Sequence, residues 1–357
     1  MMTIVAAHGG SYPRIGDRRD QQKLRQSLES FSRGDIKAKE LDRIQQDVIR
    51  EAIAEQVKAG LDVVSDGHIR RYDQVSHLMG KLKGVTPSGL LRFYDTNTYF
   101  RQPHVTSAVE SKGALIADEI RWAVAVSPRP VLASLLGPLT LSRLSLVKSG
   151  YTSADALMDA LVPIMADEVE RLVQAGADAI VIEEPHLLRE PKALPRLADA
   201  LEVLAARKGN LRLWLFPTFG DAGGIYEKLQ GLAVDGLILD FTYAKSAADA
   251  VATAGSRLAL GLGLVDARNT RLESPAKVAA QAELLLRKAK GTVAGLCVTN
   301  GLEYLPRPRA FEKLVVVAKA RDLLNGKPAK SSSTKSASRA RPKPKPPRRV
   351  ARGRKKR

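Results

Sequence analysis

Two adjacent glutamates, Glu183 and Glu184, follow a short apolar run and precede a proline. Neighbouring side chains of an extended strand point to opposite sides, so one of these carboxylates should face a site at the strand end. A carboxylate buried at such a place needs a partner, which could be an amine, a metal ion or an arginine. The pair therefore predicts catalytic or binding chemistry.

Other polar residues follow apolar runs in the same way. His68 lies among basic neighbours in the segment Asp-Gly-His-Ile-Arg-Arg, where an imidazole could act as a base or bind an anion, and we treat it as a third candidate catalytic residue. The candidates for substrate binding are Ser11, Arg14, Arg71, Asp73, Thr140 and Asn300. Asp66, Asp221 and Asp266 are equally well explained as helix caps. A glycine-rich segment at 220–224 is a weak signal for phosphate binding.

Eight apolar runs, each followed by room for a helix, supply the elements that must position these side chains. The runs cover residues 3–7, 61–65, 130–136, 177–183, 211–216, 234–240, 258–265 and 293–298. Such continuous runs are typical of parallel strands covered on both faces. Two helical patterns end at Gly60 and Gly176, where a left-handed cap is expected before the next strand. The pattern predicts a (β/α)8 TIM barrel over residues 1–322, with the site at the carboxyl ends of the strands.

Long βα1 and βα2 loops interrupt this pattern, at about 11–38 and 66–125. The second loop contains an aromatic-rich segment, 91–100, which predicts a hairpin turning at 95–97. Long loops in compact domains are commonly lids, so we expect this hairpin to cover a pocket.

Charge is concentrated at the end of the chain. The whole sequence has 57 Lys and Arg against 38 Asp and Glu, and 14 of the basic residues lie from Lys327 onward, where there is no acidic residue. We predict that 323–357 is a disordered tail, which either solubilises the protein or attracts nucleic acid non-specifically.

No run approaches the roughly 18 to 20 apolar residues of a membrane helix, so we expect a cytoplasmic protein. The single cysteine, Cys297, excludes an internal disulfide.

Several motifs occur together in a fixed order along the chain. They are Gly-Ser-Tyr-Pro-Arg at 10–14, Ala-Gly-Leu-Asp-Val-Val-Ser-Asp-Gly at 59–67, Gly-Pro-Leu-Thr at 137–140, Ile-Glu-Glu-Pro at 182–185, Gly-Leu-Val-Asp at 263–266 and Asn-Gly-Leu at 300–302. In this order the chain resembles the C-terminal catalytic barrel of cobalamin-independent methionine synthase and its single-barrel relatives.

The resemblance implies methyl transfer from a folate donor to the thiol of homocysteine, with zinc binding the thiolate. The family's four zinc-ligand positions correspond here to Phe216, Thr218, Asp240 and Asn300. Because this set does not match the nitrogen and sulfur ligands that zinc prefers, we expect no metal. His68 stands where the family has a glutamate that is associated with the amino-acid substrate, and Glu183 replaces an aspartate. Leu144 stands where the family has a tryptophan that is linked to folate stacking.

Two functions remain open from the sequence. The first is a methyltransferase that acts on a small polar substrate, such as a thiol amino acid. The second is a non-catalytic barrel that binds a small molecule and carries a tail attracted to nucleic acid. A decarboxylase of the uroporphyrinogen type is suggested only by the shared barrel and by Arg70 and Arg71.

Overall fold

The computed structural model describes residues 3–243, 245–287 and 293–326 of the chain. The strands are β1 (Thr3–Ala6), β2 (Leu82–Arg92), β3 (Tyr99–Ser111), β4 (Leu132–Leu136), β5 (Leu146–Val147), β6 (Ala179–Glu183), β7 (Arg212–Phe216), β8 (Gly236–Asp240), β9 (Ala259–Val265) and β10 (Val293–Val298). The helices are α1 (Lys23–Arg33), α2 (Ala38–Ala59), α3 (Gln74–Met79), α4 (Ala117–Val126), α5 (Pro138–Leu144), α6 (Ala154–Gln174), α7 (Leu194–Ala205), α8 (Tyr226–Leu229), α9 (Lys245–Ala254), α10 (Pro275–Leu286) and α11 (Arg307–Leu324). Strands and helices alternate, as the sequence pattern predicts for an α/β fold.

Seven of the strands form one curled parallel sheet in the order β1-β10-β9-β8-β7-β6-β4. Residues 62–64 bridge its two edges. The amides of Asp62 and Val63 donate to the Ala6 carbonyl at 3.0 and 3.3 Å, and the Val64 amide donates to the Pro130 carbonyl at 2.9 Å. These bonds bring β1 and β4 together around the interior of the sheet.

The strand predicted at 61–65 is wrong as a regular strand, because only an isolated bridge joins Val64 to Val131. The reason is local competition from side chains for the backbone hydrogen bonds. The Gln56 side chain accepts from the Ser65 amide at 2.8 Å and donates to the Ser65 carbonyl at 3.1 Å. The Asp62 carboxylate likewise accepts the Ala6 amide at 2.8 Å. These contacts occupy groups that a ladder would otherwise use.

The predicted hairpin is confirmed and is longer than the sequence suggested. Strands β2 and β3 are antiparallel, and Leu91 pairs with Phe100 and Arg92 with Tyr99. The turn between them reaches over the carboxyl ends of the barrel strands, where Asp95 accepts a hydrogen bond from Arg189 at 2.9 Å. The long second loop is therefore a structured cover.

Both predicted glycine caps are confirmed. Gly60 ends α2 with φ of 97°, and Gly176 follows α6 with φ of 81°. These left-handed backbones are costly for residues that carry a Cβ atom.

The apolar interior lies in two places. A large core fills the space between the sheet and its helices. A smaller cluster inside the curled sheet consists of Leu132, Ala179, Val181, Trp214, Phe216, Ile238 and Cys297.

Helix α11 continues to Leu324, two residues past the predicted domain boundary at 322. The Asn325 side chain then donates to the Ile4 carbonyl at 3.1 Å, which ties the end of α11 to β1. The predicted tail from residue 327 onward lies outside the described residues. No helix in the described ranges is long and apolar enough to cross a membrane.

Candidate active site

A cavity of about 360 Å3 opens at the carboxyl ends of the barrel strands, beneath the hairpin. We call it the His68 cavity. Its polar lining includes Ser11, Arg14, His68, Arg71, Asp73, Gln74 and Glu303. Five of the predicted site residues therefore meet at one place, as expected for loops that follow neighbouring strands.

Glu183, at the end of β6, lies just behind the cavity wall. Its carboxylate accepts a hydrogen bond from the Ser134 hydroxyl at 2.5 Å and a long one from the Gln74 amide at 3.4 Å. Burial raises the pKa of Glu183 to about 7, and the neighbouring Glu303 carboxylate raises it further. Gln74 lines the cavity and contacts Glu183, which does not line it, so Gln74 stands between Glu183 and the open space.

Glu303 is an acidic side chain that lines the cavity itself, and the sequence prediction missed it. It follows β10 by five residues and accepts a hydrogen bond from the Ser11 hydroxyl. Burial raises its pKa. Its position in the loop just after the last strand is the sequence signal that could have identified it.

His68 is buried in a strained backbone conformation. Its φ is 54°, and 3% of its surface is exposed. Neither ring nitrogen has a hydrogen-bond partner among the described residues. Burial, followed by the charge of Arg71, holds the imidazole pKa well below its usual value, so the ring is neutral at pH 7. A neutral ring with both nitrogens unbonded offers one donor and one acceptor to a ligand.

Two guanidinium groups line the same cavity as the imidazole. Arg71 is buried and donates to the Ser134 carbonyl at 2.6 Å, and its other nitrogens lie 3.8 Å from Asp66 and 3.7 Å from Glu119. Arg14 donates to the Ile69 carbonyl at 2.8 Å, and burial lowers its pKa to about 10. The cavity lining thus combines positive groups with the Glu303 carboxylate.

Asp73, at the edge of the cavity, is the N-cap residue of α3. Its carboxylate caps α3 by accepting the Ser76 amide at 2.6 Å. It still lines the cavity, so a contact with a ligand is compatible with the cap.

Glu184 and Thr140 do not line this cavity. The buried Glu184 carboxylate accepts the Leu139 amide at 3.0 Å, the Thr140 amide at 2.8 Å and the Thr140 hydroxyl at 2.5 Å. These are the contacts of a cap on the N-terminus of α5. The adjacent glutamates point to opposite sides, as predicted, and the geometry assigns Glu184 to the helix and Glu183 to the site.

The four positions that the family resemblance leads us to compare with zinc ligands hold Phe216, Thr218, Asp240 and Asn300. Phe216 packs in the apolar cluster inside the sheet, and Asp240 accepts a hydrogen bond from Arg268 at 2.6 Å. The Asn300 side chain bonds to Thr299 and to the Gly301 carbonyl. Thr218 offers only a hydroxyl. Within the described ranges, no group of three or more His, Cys, Asp or Glu side chains is placed to hold a metal ion. This donor set does not fit zinc.

The family model described as "Cobalamin-independent synthase, N-terminal domain" matches residues 6–86 and 79–290. The chain belongs to the cobalamin-independent methionine synthase family. The matched model describes the N-terminal domain, whereas the sequence motifs above were compared with the C-terminal barrel.

Proteins named methionine synthase resemble the chain over most of its length. The protein from Sulfurisphaera tokodaii is 28% identical over 332 residues, which cover 91% of this chain and 95% of the relative. The protein from Saccharolobus solfataricus is 27% identical over 308 residues, covering 86% and 90%.

Solved structures show the same fold. A B12-independent methionine synthase from Shewanella sp. W3-18-1, solved with selenomethionine, has a TM-score of 0.76 at 18% identity and covers 91% of this chain and 98% of that one. A methyltransferase from Methanosarcina mazei has a TM-score of 0.63 at 17% identity, covering 91% and 94%. In this synthase fold, the cavity under the hairpin is the candidate active site.

Proposed function

We propose that the chain is a methyltransferase of the methionine synthase type, and that its methyl acceptor is a small thiol amino acid bound in the His68 cavity. Membership of the family and the relatives named methionine synthase support the reaction class. The arrangement of opposite charges around the cavity supports the acceptor class.

An amino acid carries an ammonium and a carboxylate, which require opposite partners. Glu303, bonded to Ser11, lines the cavity as an acceptor for the ammonium, with Glu183 adding negative charge behind it. Arg14 and the neutral His68 supply donors for a carboxylate. The juxtaposition of Ser11 and Glu303, at opposite ends of the described chain, is the observation on which this proposal mainly rests.

The acceptor thiol must lose its proton before it can attack a methyl group. Zinc, which the family resemblance implies, does not fit the residues at the corresponding positions, so no step is assigned to it. A carboxylate with a pKa of about 7, as at Glu183, is a suitable proton acceptor for a thiol of ordinary pKa near 8.5. The side chain of Gln74 would have to move aside for direct proton transfer.

Titration with homocysteine tests the acceptor. Glu183→Gln and Glu303→Gln keep size and remove charge, so each should weaken homocysteine binding by about 2 to 5 kcal/mol in calorimetry, without lowering the melting temperature. Glu202→Gln, an exposed change on α7, is the matched control. A Glu183→Gln variant that is destabilised but binds homocysteine as well as the parent protein would contradict the proposal. That outcome would make Glu183 a structural partner of Arg71 or Arg14.

A further inference from the structure

A separate cavity lies inside the curled sheet, and we call it the lumen cavity. Its volume is about 130 Å3. It is lined by six of the seven residues of the apolar cluster inside the sheet, all except Phe216. Its outer end lies at the amino ends of β6 and β7, where Asp178 and Arg212 are exposed. Among the described residues it shares no lining residue with the His68 cavity, which opens at the carboxyl ends of the strands.

Small residues leave this space unfilled. The inward-facing side chains of a barrel normally pack in layers that fill its interior. The ring of Trp214 covers Gly236 and the side chain of Ile238 covers Gly261, so neither glycine could carry a Cβ atom without a clash. Gly295 differs from them. Apart from its chain neighbours, a Cβ atom placed there would have only the Gly261 Cα atom within 4 Å among the described residues, at 3.5 Å.

The alternation of β10 places Gly295 on the inner face of the sheet. Residues two apart on a strand share a face, and Cys297 belongs to the apolar cluster inside the sheet. Ala294 and Leu296 belong instead to the core between the sheet and its helices. A side chain at position 295 would therefore point into the lumen cavity.

The lining offers no free polar group to a ligand. Within the described part of the chain, no buried side chain that lines the cavity has an unpartnered nitrogen or oxygen atom. Nε2 of His8 lies 2.9 Å from the Gln56 amide oxygen and 3.0 Å from the Ser65 hydroxyl, and Nδ1 accepts the Gly10 amide at 3.3 Å. Burial lowers the pKa of His8 to about 4 and raises that of the Cys297 thiol to about 12, so both groups are neutral at pH 7.

We propose that the lumen cavity binds a neutral apolar molecule of about the size of benzene. A buried water molecule needs about two to four polar partners, which this lining does not supply. Apolar cavities of about 150 Å3 in other proteins bind benzene or xenon, and the lumen cavity has a similar volume. Contact with Leu132, Val181 and Trp214 supplies the attraction. The ligand is distinct from the methyl donor and acceptor, because the two cavities lie towards opposite ends of the barrel.

Binding of benzene to the full-length protein tests the lumen cavity. A ligand that binds only the folded state stabilises it, so benzene should raise the melting temperature, and calorimetry should show one saturable site per chain. Gly295→Val fills the cavity from β10 and should abolish both effects. Gly89→Val makes the same change at an exposed position on β2, where a Cβ atom has no neighbour within 4 Å, and it should leave benzene binding unchanged.

Gly295→Ala is the second variant, in case Gly295→Val fails to fold. Its single methyl group fits beside Gly261 at an ordinary contact distance, so the variant should melt at or above the temperature of the parent protein. It should weaken benzene binding about fivefold or more, because the methyl group occupies space that the ligand needs.

The lack of a saturable benzene site in the parent protein would overturn the inference, and so would benzene binding that neither change at Gly295 weakens. A crystal structure of the parent protein soaked in benzene locates the ligand directly. Density for benzene beside Gly295 would support the proposal. Ordered water in the lumen cavity, with no benzene there, would overturn it.

Discussion

At the scale of single residues, Glu183 is a carboxyl group whose pKa depends on the fold. Burial raises that pKa from its ordinary value of 4.5 to about 7, so the folded state holds the proton more tightly than the unfolded state. The contribution of Glu183 to the free energy of unfolding is therefore greatest at low pH. It decreases as the pH rises from about 4.5 to about 7 and is constant above that window.

We expect Glu183→Gln to remove this part of the pH dependence. Urea unfolding at about pH 4 and about pH 8 should show the variant gaining stability relative to the parent protein at the higher pH, by at most about 3 kcal/mol. Glu202→Gln, on the exposed side of α7, should leave the slope unchanged. Parallel pH profiles for the parent and Glu183→Gln would show that the carboxyl group is not buried in solution.

The expected zinc content of the protein also depends on single residues. Because Phe216 is packed in the apolar interior and Asp240 is paired with Arg268, we expect the purified protein to carry less than one zinc per chain. Elemental analysis of protein without the tail measures this directly. One tightly bound zinc per chain that persists in Asp240→Ala would contradict the prediction and direct attention to His68 and Asp66.

At the scale of elements, α5 depends on a residue outside it. Glu184 accepts three hydrogen bonds from Leu139 and Thr140 at the start of this helix, and all three residues are buried. Glu184→Ala leaves these donors without partners, so we expect a loss of about 3 kcal/mol in the free energy of unfolding. Urea denaturation measures it, with Glu202→Ala as the exposed control. A change of similar size in both variants would mean that the cap contributes nothing specific.

The hairpin of β2 and β3 joins the site through side chains near its tip. Phe93 and Tyr94 contact Phe219, which follows β7, and Asp95 pairs with Arg189, which lies beyond β6. These contacts hold the hairpin over the His68 cavity. The sequence indicated the hairpin through its aromatic residues and turn, but not its partners.

At the scale of the whole molecule, we expect the stability of the described body not to depend on the basic tail. Helix α11 is tied to β1 by Asn325, and the residues from 327 onward contain no large apolar side chain except Val350. We expect truncation after Gly326 to change the melting temperature by no more than about 1 to 2 °C. Differential scanning calorimetry of both chains checks this. A loss of several degrees would show that the tail docks on the body.

The sequence by itself determined the elements of this protein. Seven of the eight apolar runs are parallel strands, and the helices before Gly60 and Gly176 end as their spacing predicts. The family is likewise readable from ordered motifs. Strands, helices and caps depend on residues close together in the chain, so a local pattern is sufficient to predict them.

The tertiary structure decided the site. Only folding brings Ser11 to Glu303, places Gln74 in front of Glu183 and turns Glu184 towards α5. It also replaced the strand at 61–65 by an irregular segment, because Gln56 takes the backbone groups of Ser65. Each of these contacts joins residues from separate parts of the chain, whose donors and acceptors compete for the same hydrogen bonds. That competition is resolved only when the carboxyl ends of the strands converge.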